Sequence, residues 1–99
     1  MYLIREVMHC RPGQVRTLVD KFKALASVIE DMGYGSPRVY TDVSGERFWT
    51  LIFESEAESL DGFRQMEASV MESEDAREAM QGYHDLVVEG RREIYTIET

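Results

Sequence analysis

The sequence predicts an α+β fold in which a four-stranded antiparallel sheet carries its helices on one face. Segments with a strand's period of two alternate along the chain with segments of helical period. One stretch, Arg47 to Glu54, is apolar on both sides when sorted by that period of two: Trp49, Leu51 and Phe53 against Phe48 and Ile52. A strand with one wet face alternates apolar and polar residues, so this one is expected to be covered twice.

Tyr2 to His9 reads as the first strand, with Leu3 and Val7 on one face and Ile4 and Met8 on the other. Arg5 and Glu6 place one charge on each face at its middle, which burial tolerates only where partners or water reach them. Arg11-Pro12-Gly13 breaks the strand, and proline suits the first turn of a helix. Val15, Leu18, Val19, Phe22, Leu25, Ala26, Ile29 and Met32 then form one continuous helical stripe. Gly33 suits the C-terminal cap and Pro37 bars continuation. Arg38 to Val43 is a short strand, and Ser44-Gly45 reads as the turn of a hairpin into Arg47–Glu54.

Ser55-Glu56-Ala57-Glu58 has the spacing of a capping box, predicting a second helix that runs from there to Met71. Ser73 can cap a third, with Ala76, Ala79, Met80, Tyr83 and Val87 inward. Gly90 ends the connection, and Arg91 to Ile97 forms the last strand. The resulting order, strand, helix, strand, strand, helix pair, strand, is the ferredoxin-like split βαβ plan over a single domain, 1–99. Its uncovered sheet face would show a contiguous apolar patch, which a second copy of the chain could bury.

Composition narrows the function classes. Hydrophobic residues make up 43% and charged residues 30%, as in an ordinary globular domain. No apolar run approaches the ~18 residues of a membrane span, and the charged N-terminus reads as neither signal nor transit peptide, so a cytoplasmic protein is expected. A net charge of −8 repels phosphate backbones and anionic lipids, so neither nucleic acid nor membrane is an expected partner. Cys10, the single cysteine, allows no internal disulfide and reads as a buried bystander.

Tyr2-Leu3-Ile4-Arg5-Glu6-Val7 through Arg11-Pro12-Gly13, followed by an amphipathic helix, resembles the start of NIPSNAP-like domains, and the whole chain is similar to dimeric α/β-barrel proteins. That resemblance implies a homodimer joined through its sheet faces, each protomer with a small pocket between sheet and helices. The superfamily includes cofactor-free monooxygenases, haem-degrading enzymes, isomerases and members without known activity. The haem-degrading members carry a ligating histidine on the second helix. Residues 60–67 here contain none, and no cofactor is implied.

On a helical wheel Leu60, Phe63, Val70 and Met71 share one arc with Glu67 near its middle. Burial raises a carboxyl pKa, which is how such a group becomes a general acid or base near neutrality. Alternatively the helix bends, ends early, or pairs Glu67 with an arginine. Arg5 is expected to be that partner, an anion anchor, or a strand arginine reaching solvent. His84, on the edge of the third helix's inward face, and His9 are candidate proton shuttles. Tyr40, Trp49, Phe63 and Tyr83 are candidate ligand contacts, each equally readable as packing. No residues stand at metal-ligand spacing. The predicted function is to bind, or to convert without a cofactor, a small apolar or aromatic molecule; a non-catalytic binder or a pure association module is the alternative.

Overall fold

The computed structural model describes residues 1–99. The elements are β1 (Tyr2–Cys10), α1 (Val15–Asp31), β2 (Arg38–Thr41), β3 (Thr50–Ala57), α2 (Leu60–Glu72), α3 (Glu74–Ala79), one turn of 3₁₀ helix (Tyr83–Leu86) and β4 (Val87–Thr96). All neighbouring strands are antiparallel, in the order β2-β3-β1-β4. The two central strands are therefore β3 and β1. Overall thickness is only 18 Å, one sheet and one layer of helices.

Strand register settles which side chains share a face. Ile4 opposes Ser55 and Ile94, Glu6 opposes Phe53 and Arg92, and Met8 opposes Leu51 and Gly90, all on the side of the helices. Leu18, Val19, Phe22 and Ile29 of α1 are buried there against Leu51 and Phe53, with the Phe22 and Phe53 rings 5.0 Å apart. Gly33 closes α1 at φ +85°, a left-handed conformation that disfavours any side chain. Leu3, Arg5, Val7 and His9 alternate to the opposite face with Thr50, Ile52 and Glu54.

Four expectations need correction. Only Thr50 onwards of the central stretch is strand: Trp49 has φ +63° and Phe48 is 82% exposed, so an eight-residue loop, 42–49, replaces the tight Ser44-Gly45 turn. The Asp42 carboxylate accepts from the Thr50 backbone N–H at 2.8 Å and closes that loop, a bond that competes with continued pairing. Helix α2 starts two residues after the Ser55 box, because Ser55 and Ala57 still pair with β1; Ser59 is the cap, its hydroxyl accepting from Gly62 N–H at 3.0 Å. Finally, β4 begins at Val87 and absorbs Gly90, where the Met8 thioether crosses the sheet too closely for a Cβ. Ser73 caps α3 as expected, accepting from Ala76 N–H.

Candidate functional site

A cavity of about 630 Å³ opens between the sheet and the α2–α3 layer. Its walls are mostly apolar: Met8 and Phe53 from the sheet, Phe22, Leu25 and Ile29 from α1, Phe63, Met66 and Val70 from α2, and Met80 and Tyr83 beyond α3. Into it project Glu6, Glu67 and Arg92, which form one connected group. Arg92 Nε donates to Glu6 Oε1 at 2.5 Å, and Nη2 donates to Glu67 Oε2. The guanidinium also lies over the Phe63 ring, 5.0 Å from its centroid, so aromatic face and carboxylates fix it in three directions.

Of the residues expected to meet, Glu67, His84, Phe63 and Tyr83 all line this cavity. The Tyr83 and His84 rings lie 4.0 Å apart, with His84 largely exposed. Glu67 does pair with an arginine, but the arginine is Arg92. Arg5 lies on the opposite face of the sheet, because alternation along β1 separates it from Glu6. There it approaches Glu54 and Glu93 at 3.4 and 3.5 Å. Tyr40 is on that face too, donating to Glu54 at 3.0 Å, and Trp49 sits on the 42–49 loop beside Gly13 and Val15. Neither reaches the helix-side cavity.

Sequence reasoning passed over Glu6 as a site residue. Burial pushes its carboxyl above the ordinary value, and Arg92 pulls against that rise without cancelling it. A carboxylate whose proton affinity is raised, held beside a fixed cation, can take a proton from a substrate while the cation stabilises the anion that results. The available signal was its place in an otherwise apolar strand. Cys10 behaves oppositely to a nucleophile: burial and then the Asp42 carboxylate push its thiol up. No group of three or more His, Cys, Asp or Glu side chains could hold a metal ion.

The open face carries a second, charged group. Glu93 accepts from Arg91 at 2.8 Å and from Tyr95 at 3.0 Å, and these bonds hold its carboxyl below the usual range. His9 is only 7% exposed, its Nδ1 3.3 Å from Thr50 Oγ1 and its Nε2 3.4 Å from Arg91 Nη1. Of the contiguous apolar patch expected here, Leu3, Val7, Ile52, Tyr40 and Tyr95 are present and bordered by ion pairs, and the phenylalanines are missing. Phe53 faces the helices and Phe48 has left the strand.

No protein-family model matches the sequence, and no curated protein matches it. Solved structures do. A NIPSNAP-like domain protein from Burkholderia xenovorans superposes with a TM-score of 0.82 at 14% identity, over 99% of this chain and 85% of the other. A NIPSNAP family protein from Agrobacterium tumefaciens gives 0.81 at 12% identity, covering 96% and 90%. The fold is that of the NIPSNAP-like domains. An antibiotic biosynthesis monooxygenase shares it more distantly, with a TM-score of 0.75 at 8% identity over the full length of both chains. Within the NIPSNAP-like fold, the Glu6–Arg92–Glu67 group is set by this chain's own register, in which Glu6 of β1 faces Arg92 of β4. No helix is long and apolar enough to cross a membrane.

Proposed function

We propose that the protein binds, or converts without a cofactor, a small apolar or aromatic molecule in the helix-side cavity, and that it does so as a homodimer joined through its open sheet faces. The observation that carries this reading is an aromatic and methionine-lined cavity with a half-exposed carboxylate–arginine–carboxylate array on its polar wall. Such a site holds an apolar body by burial and reserves its directed chemistry for a single polar atom. Proton abstraction is the step that array can perform, with Glu6 or Glu67 as base and Arg92 beside the developing negative charge. The shared fold of a monooxygenase supports a catalytic reading by analogy alone. A single unpaired cysteine and an acidic surface support a cytoplasmic setting.

Surface area supports the dimer. The chain exposes 6654 Å², against about 5,800 Å² for an average monomer of its mass. An area above the monomer average is what a flat subunit with an uncovered sheet face presents.

Ligand-observed NMR with naphthalene tests the cavity. Wild type is expected to bind it, and Met66→Trp, which fills the cavity, is expected to abolish binding while the dimer persists. Absence of binding to wild type defeats the proposal. Glu67→Gln then separates enzyme from binder: turnover lost with binding retained indicates catalysis, whereas unaltered binding and turnover removes Glu67 from the mechanism.

A further inference from the structure

Around Glu6 the polar wall of the helix-side cavity carries unbalanced charge. Two carboxylates, Glu6 and Glu67, share one guanidinium, Arg92. Two of the three Arg92 nitrogens are already engaged by those carboxylates, and its flat face lies on Phe63. Arg77, the other arginine of the lining, is an exposed side chain that donates to the Met71 carbonyl at 3.2 Å. The charges that act most strongly on Glu6 are those of Arg92 and Glu67. Glu6 itself is 19% exposed and receives its only side-chain hydrogen bond at Oε1, so Oε2 is free to accept one from a ligand.

Building on the reading of this cavity as a ligand site, we infer that Glu6 is its specificity-determining acceptor and that the ligand's polar group is an uncharged hydroxyl, an alcohol or phenol, rather than an acid or an amine. An organic anion placed beside Glu6 would have to displace a glutamate from Arg92 and would face the remaining carboxylate at close range. That arrangement costs more than the new ion pair returns. An ammonium group would be drawn to Glu6 but would lie against the Arg92 cation and lose its hydration among aromatic walls. A neutral hydroxyl meets neither obstacle. It donates to Oε2, and a hydrogen bond to a charged acceptor is among the stronger ones a protein can offer.

Four probes of one shape decide it: naphthalene, 2-naphthol, 2-naphthoate and 2-naphthylmethylammonium, titrated calorimetrically into the full chain at pH 7. Naphthol is still neutral there, since phenols titrate near ~10, and naphthoate is an anion. Naphthol is expected to bind about tenfold or more tightly than naphthoate or the ammonium probe. In Glu6→Gln the preference for naphthol over naphthoate is expected to shrink towards parity, while naphthalene binds as it does to wild type. A wild-type ranking with naphthoate or the amine equal to or above naphthol overturns the inference without any variant. An unchanged ratio in a folded Glu6→Gln overturns it also. If naphthalene binds and the head groups are not distinguished, the cavity remains a ligand site and only Glu6's role falls. If naphthalene fails to bind, both readings fall together.

Discussion

Glu6 and Glu93 are both strand glutamates paired with arginines, yet they answer pH in opposite senses. Burial raises the Glu6 carboxyl above its ordinary 4.5. Its contribution to stability is therefore fully present below that value and is lost as pH rises through the raised one. Glu93 is held low by the Arg91 hydrogen bond, so its contribution is present above 4.5 and is lost as pH falls through the lowered value. Urea titrations between pH 3 and pH 7 should show wild type losing stability relative to Glu6→Gln as pH rises, and gaining stability relative to Glu93→Gln. A parallel pH response of the two variants contradicts this assignment. That Glu6 requires a partner is legible in the sequence, as a charge within an apolar strand. Which partner it finds is not, because Arg92 lies 86 positions away and arrives only through the β1–β4 register.

At the level of elements, the sequence locates α1 almost to the residue, because an uninterrupted stripe and a left-handed glycine mark its body and end. It misplaces the start of α2 by taking Ser55 as the cap, since only tertiary pairing with β1 excludes that serine. Ser59→Ala is accordingly expected to cost about 1 kcal/mol in urea denaturation, and Ser55→Ala less than half as much. Equal losses would mean that the cap lies elsewhere. Gly90→Ala tests the neighbouring surface, because an added Cβ would come within 2.8 Å of the Met8 sulfur. Met8 is flexible and lines the cavity, so the fold should survive with a loss of about 1–2 kcal/mol. Naphthalene affinity should fall at least severalfold as the thioether is pushed inward. Unchanged affinity would show that Met8 moves elsewhere.

For the molecule as a whole, the sheet face opposite the helices is the one large surface without a covering layer. The sequence foresaw the vacancy but not its chemistry. Sorting Arg47–Glu54 by a period of two took no account of Trp49, whose φ of +63° breaks the alternation and removes Phe48 from the face. With Ile52 flanked by Val7 and Tyr40 and surrounded by ion pairs, the proposed dimer should depend on a small apolar centre and a salt-sensitive rim. Light scattering at micromolar concentration should give twice 11.5 kDa. Ile52→Glu should yield monomer or aggregate, since an unpaired charge in a dry interface typically costs several kcal/mol. A wild-type monomer across that range would remove the dimer from the proposal.

Trp49 is the only tryptophan of the chain. It stands 44% exposed on the 42–49 loop, with its carbonyl tied to the Cys10 N–H at 2.8 Å. Tryptophan fluorescence therefore reports on that loop and not on the core. In a denaturation series its emission should move when that loop lifts from the end of β1, ahead of the loss of far-ultraviolet dichroism from the helices and sheet. Two optical signals that part company in this order belong to a folded molecule with a loose corner, and should not be taken for a global folding intermediate.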